Sequence, residues 1–221
     1  MPKVSEEYLQ NKKKSIVDAT YRVCLRKPVE MVTMTDVIEE TGLSQGGIYR
    51  FYKDLDEILS DMIANMRSDY NIIARIDEAT NDEGAGFEET THRICNILAE
   101  VMEEHLLDIQ KINFDLNVLA INEPKRAAKI IGAIKGGNGN LEHLAKVTLP
   151  LIEKACKERN LTPKRPPKEI FEFISAAYTG IEMNCILTAC YKDAASNVNS
   201  TPKPLFDALA TTIILLFGGN E

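Results

Sequence analysis

Apolar residues return every three or four positions along most of this chain, and strictly alternating runs are scarce, so the pattern predicts an all-α fold. The first helix is expected over about Ser5 to Arg26, closed by Pro28. Two short helices follow. Thr33-Met34-Thr35-Asp36 has the form of a capping box, and that helix should stop at Gly42, a residue able to take a left-handed conformation. Ser44 then caps a helix of about Gln45 to Lys53. Asp54-Leu55-Asp56-Glu57 repeats the box and opens a long helix to about Arg75, with Leu59, Met62, Ile63, Met66, Tyr70 and Ile73 at helical spacing. Further helices are expected near 87–105, 107–121, 124–134, 140–159, 168–193 and 203–217, and Pro150 should kink the fourth of these. Polar breaks rich in Gly or Pro at 81–86, 136–140 and 162–167, with a milder one at 195–204, separate them.

A short capped helix, a glycine turn and a second short helix make a helix-turn-helix. In that arrangement the second helix puts its N-terminal residues at base edges in the major groove, while the first braces it. Gly46 and Gly47 open the second helix, at a propensity cost of about 1–2 kcal/mol. Such a penalty in so short a helix points to close backbone approach by a partner.

Charge sharpens the division. The net charge of −7 is uneven: residues 1–53 carry nine Lys and Arg against seven Asp and Glu, whereas 54–221 carry 17 against 26. A mildly basic head on an acidic body fits a nucleic-acid module joined to something else.

The residues Ser15-Ile16-Val17-Asp18-Ala19, Thr33 to Ile38 and Thr41 to Lys53 resemble the DNA-binding module of the TetR family of transcription regulators. The likeness spans about Lys12 to Leu59 and rests on Gly42-x-Ser44-x-Gly46-x-x-Tyr49 with a capping Thr nine positions before the first glycine. The resemblance implies an N-terminal three-helix helix-turn-helix domain, 1–54, followed by a larger helical ligand-binding and dimerisation domain, 55–221. It also implies roles. Thr33 and Thr35 would lie near a phosphate, with Ser44, Gln45, Gly46 and Gly47 at the groove. Gln45 would touch a base edge, since glutamine can pair bidentately with adenine. Tyr49, Arg50 and Lys53 would meet phosphates (Arg50 alternatively a guanine), with Lys13 and Lys14 adding contacts that position without specifying sequence. The chain departs from the family pattern at Cys24 (usually Phe), Pro28 (usually Gly) and Leu55, where a Lys usually meets the DNA backbone.

The partners implied are a palindromic duplex, a small and mainly hydrophobic effector, and a second copy of the chain. The broad apolar faces of 168–193 and 203–217 suit that pairing, being hard for a monomer to cover. Met62, Met66, Tyr70, Met102, Phe114, Asn117, Tyr178 and Met183 are the candidates for an effector cavity, because Met and aromatic side chains suit adaptable pockets.

Little supports an enzyme, a metal site or a cofactor. His92, His105 and His143 are scattered, and no nucleophile elbow, phosphate loop or dinucleotide fingerprint occurs. The five cysteines lie far apart and read as reduced, packed thiols. With no secretory signal at the start, and an apolar stretch at 209–217 about half of what a bilayer needs, the expectation is a cytoplasmic protein without membrane partners. Two other readings stay open: a helical dimeric adaptor that has lost DNA binding, favoured by Leu55 and the weak basic balance, and a regulator that responds to no ligand.

Overall fold

The computed structural model describes residues 5–69, 72–82, 84–132, 140–158, 161–190 and 200–219. Every regular element among them is helical: α1 (Glu6–Arg26), α2 (Met34–Thr41), α3 (Gln45–Tyr49), α4 (Leu55–Asp69), α5 (Ile72–Thr80), α6 (Phe87–Glu104), α7 (Lys111–Asn122), α8 (Pro124–Gly132), α9 (Asn140–Glu158), α10 (Pro167–Cys190) and α11 (Pro202–Leu216). A 3₁₀ turn at Val29–Met31 and a π turn at Leu106–Gln110 complete them. They form two compact units, one of residues 1–69 and 111–137 and the other of 70–110 and 138–221. α7 and α8 pack with the N-terminal helices of the first unit.

In the first unit α1 is capped by Ser5, whose hydroxyl accepts the Tyr8 N–H at 3.2 Å. Its face of Ile16, Val17, Ala19, Val23 and Cys24 is buried against α2, α4 and α7. α4 contributes Ile58, Leu59, Met62 and Ile63, all essentially inaccessible, at roughly 1.5–3 kcal/mol of transfer free energy per large aliphatic side chain. α8, entered through Pro124 where a missing N–H does no harm, packs on α4. Cys24 fits this core without the bulk of the phenylalanine usual in the family; burial, reinforced by nearby Asp115, pushes its thiol up to about 12.

The second unit is built on α6, which packs against α5, α9 and most extensively α11. One core cluster joins Ile76, Ile94, Leu98, Met102, Cys185 and Phe206. A second gathers Phe87, Ile152, Ile170, Ile214 and Phe217, with the Phe87 and Phe217 rings edge to face at 6.0 Å. The turn after α11 needs glycine: Gly218 has φ +89°, and a Cβ there would stand 2.6 Å from the Thr162 carbonyl oxygen.

Three boundaries differ from the periodicity. α3 ends at Tyr49 and not Lys53, because the Phe51 and Tyr52 N–H groups both turn back to the Ile48 carbonyl. The expected helix from 56 to 75 is described as α4 to Asp69 and α5 from Ile72; Tyr70 lies outside the described residues. The expected helix at 107–121 begins as the π turn, where the Asp108 carboxylate takes the Ile109 N–H at 2.5 Å. Pro150 does lie within α9. The break at 136–140 falls almost wholly outside the described residues. α10 is long and apolar enough by length and composition to cross a membrane; here it packs against α11 and the π turn.

Candidate nucleic-acid interface and ligand cavity

The helix-turn-helix is assembled by local chemistry. The Thr33 hydroxyl accepts the Asp36 N–H at 3.3 Å, while the Asp36 carboxylate accepts the Thr33 N–H at 2.7 Å. Lys27 donates to the same carboxylate at 2.8 Å, and these bonds hold Asp36 down to about 2. Glu40 on α2 is gripped by Arg22 at 2.6 Å and Arg26 at 2.5 Å, which fixes α2 on α1. Gly42, at φ +66°, closes α2 with its N–H on the Ile38 carbonyl. Ser44 then caps α3, accepting the Gly47 N–H at 3.2 Å.

α3 is anchored from beneath and open above. Ile48 is fully buried, and Tyr52 is 3% exposed with its phenol donating to Asp61 at 2.9 Å. Ser44, Gln45, Gly46, Tyr49 and Arg50 are exposed, and Gly47 partly so. Nothing lies within 4 Å of the place a Gly46 Cβ would occupy, so nothing inside the chain calls for glycine there.

The expected phosphate-contacting cations stand in different states. Lys13 sits 5.0 Å above the Tyr52 ring, Lys14 pairs with Asp18 at 3.1 Å, and Lys53 pairs with Glu57 at 3.2 Å. These lysine pairs are exposed and weak, readily exchanged for another anion. Arg50 has no ion-pair partner among the described residues. The Thr33 hydroxyl and N–H are both engaged by Asp36, and Thr35 is exposed. Only half of the second capping box forms: Asp54 accepts the Glu57 N–H at 3.0 Å, while Glu57 reaches the Lys53 N–H at 2.8 Å.

Sequence reasoning missed what surrounds Leu55. This partly buried residue opens α4 between Asp54 and Asp56. Both carboxylates are held by α8, Asp54 by Lys129 at 3.0 Å and Asp56 by Arg126 at 3.0 Å. The basic residues that offset the acidic start of α4 lie about 70 positions further on, where no local pattern could reveal them.

Within the second unit, α6, α9, α10 and α11 line a partly open apolar cavity of about 110 Å³. Phe87, Ile94, Cys95, Phe171, Tyr178 and Leu209 are among the lining residues, and none of the lining residues is charged. Of the eight residues expected at an effector site, Tyr178 lines this cavity. Met62 and Met66 fill the first unit's core, Met102 is fully buried in the second, and Met183 is 42% exposed. Phe114 and Asn117 stand on α7 in the first unit. Helical spacing marked Met62, Met66 and Met102 as inward but not the four helices among which space remains, and Asn117, like Met183, is exposed.

No protein-family model matches the chain. The uncharacterised HTH-type transcriptional regulator YfiR of Bacillus subtilis (strain 168) is 37% identical over 62 residues, 28% of this chain. The match spans 30% of that relative, less than a third of its length. Solved structures align over nearly the whole chain. The fatty acid degradation regulator FadR from Bacillus halodurans superposes with a TM-score of 0.64 at 15% identity, covering 94% of this chain and 96% of that one. A regulatory protein in the tetR family from Rhodococcus RHA1 gives 0.62 at 15% identity, covering 99% and 100%. This is the TetR fold. In the TetR fold as this chain builds it, α1 to α3 form the N-terminal helix-turn-helix, and the helices that follow make up the rest.

Proposed function

We propose that the protein is a ligand-responsive, homodimeric DNA-binding transcription regulator: a cytoplasmic repressor that leaves a palindromic operator when a small apolar molecule enters the second unit. The observation that carries this reading is α3. Its start presents Ser44, Gln45 and an unencumbered Gly46 outward, with Tyr49 and Arg50 on the exposed side and Ile48 as the buried anchor. A glycine that nothing in the chain requires is accounted for by backbone closing on a duplex groove. Gln45 is the base-reading side chain, Tyr49 and Arg50 bind backbone phosphates, and Lys13, Lys14 and Lys53 trade exposed carboxylates for phosphates.

A second copy is supported by α10. Phe173, Ala176, Gly180, Met183 and Leu187 follow three-four spacing, and Phe173, Met183 and Leu187 are 46%, 42% and 41% exposed. Pairing along this stripe, with Leu215 of α11 beside it, gives the two-fold symmetry a palindrome needs. The cavity is the effector site, and occupancy weakens operator binding only if the ligand favours the conformation that binds DNA less well.

Selection from a random duplex pool with purified protein tests the proposal. A palindrome with half-sites about one helical turn apart is the expected outcome. The adaptor reading draws on Leu55 and on the acidic Asp54, Asp56 and Glu57 beside the reading head. Folded, dimeric protein that enriches no sequence would put that reading first.

A further inference from the structure

α8 brings a basic segment to the edge of the reading head. Its nine residues, Pro124–Gly132, include Lys125, Arg126 and Lys129 and no Asp or Glu. Ala127 and Ile130 are buried and hold the helix against α4. On the other side Lys125 and Lys129 are exposed and one turn apart, so they share a face.

The Lys129 ammonium stands at the first turn of α4. It donates to Asp54 at 3.0 Å and to Asp56 at 3.1 Å, the residues on either side of Leu55. Asp54 in turn accepts the Glu57 N–H at 3.0 Å. The Glu57 carboxylate takes both the N–H of Lys53, at 2.8 Å, and its ammonium, at 3.2 Å. A continuous hydrogen-bonded chain therefore runs from Lys129 to Lys53, three residues beyond Arg50 at the end of α3.

Two features decide what this arrangement can do. The first is charge. Asp54, Asp56 and Glu57 would present an acidic ledge to a phosphate backbone laid along α3. Lys53 pairs with Glu57, and α8 supplies the cations for the other two carboxylates. The second is hydrogen-bonding capacity. A lysine ammonium has three donors, and two of those on Lys129 are directed at Asp54 and Asp56, which leaves one for an outside acceptor. The Lys129 side chain is 53% exposed, so that acceptor can reach it. Because the two carboxylates already hold the ammonium, a phosphate oxygen meets a positioned donor with less side-chain freedom left to lose.

We infer that α8 belongs to the duplex interface, with Lys129 donating to a backbone phosphate next to the one that Lys53 meets. Asp54 and Asp56 are then the groups that aim Lys129, and not an obstacle to DNA. The contact goes to the sugar-phosphate backbone, so it strengthens binding on every sequence and specifies none. The inference rests on α3 being a DNA-reading helix.

The test is the salt dependence of binding by the full-length protein to a mixed-sequence duplex. Wild type is compared with Lys129→Gln and with Lys157→Gln, which removes an equal charge from an exposed position on α9. Lys129→Gln should lower the slope of log affinity against log salt by about 0.9 per subunit, and Lys157→Gln should leave it unchanged. A slope that Lys129→Gln does not lower, or that both variants lower alike, would overturn the inference while DNA binding stands. Wild-type binding with no salt dependence would overturn the reading of α3 as well. If Lys129→Gln does not fold, lysine acylation of the wild type with and without duplex decides instead. The duplex should protect Lys129 severalfold and Lys157 not at all; unchanged reactivity of Lys129 would overturn the inference.

Discussion

Ser60 donates its hydroxyl hydrogen to the carbonyl oxygen of Ile130 over 2.6 Å, joining α4 to α8 across 70 positions of sequence. Ser60 is 6% exposed, and the carbonyl belongs to a residue with no exposed surface. Replacing the serine leaves a buried acceptor in the last turn of α8. Ser60→Ala should therefore destabilise the first unit by about 1–3 kcal/mol, while Ser60→Thr should be milder where the extra methyl fits. Denaturant titration monitored on residues of α1 and α4 checks this. Unchanged stability would mean that water replaces the bond, and that α8 braces α4 through its ion pairs alone.

Burial raises Glu182 from 4.5 to about 7. A carboxyl raised on folding binds its proton more tightly in the native state than in the unfolded one. Its penalty is absent below the unfolded value, grows as pH rises from about 4.5 toward 7, and is constant above. Glu182→Gln should thus stabilise the protein at pH 8, by a margin on the order of 3 kcal/mol at most, and hardly at all at pH 4. Thermal unfolding of both proteins across that range decides it. A pH-independent difference would mean that the Glu182 carboxyl titrates alike in the folded and unfolded protein, so that burial does not raise it.

Dimerisation along α10 carries its own prediction. Phe173→Glu places a charge at one end of the proposed seam, and Gly180→Leu forces the helices apart at its middle, where nothing in the monomer stands within 4 Å of a Cβ. Both should yield folded monomers in sedimentation equilibrium and lose most affinity for a palindromic duplex. A dimer that persists in both variants would place the two-fold axis elsewhere.

How much of this was legible beforehand depended on how local the cause was. The box of Thr33 and Asp36, the Gly42 stop and the Ser44 cap are written within nearest neighbours, and the structure has all three. Pairings that form only after the chain folds back were not legible. Lys129 with Asp54, Arg126 with Asp56 and Ser60 with Ile130 each span 70 residues or more. The cavity shows the same limit. Methionines at helical spacing marked the α4 interior, yet the open space lies among α6, α9, α10 and α11, where packing of Phe87, Ile152 and Phe171 leaves a gap. Tyr178 was among the candidates because aromatic side chains, like Met, suit adaptable pockets.

The central claim is that α3 reads DNA, and the most direct measurement is the salt dependence of duplex binding for the wild-type protein and Arg50→Ala. On a selected palindrome the wild type should lose affinity linearly in log salt, by roughly 0.9 per phosphate neutralised, and Arg50→Ala should lower that slope by about one per subunit without unfolding the protein. A slope near zero, or one that Arg50→Ala leaves unchanged on selected and random duplexes alike, would contradict the account.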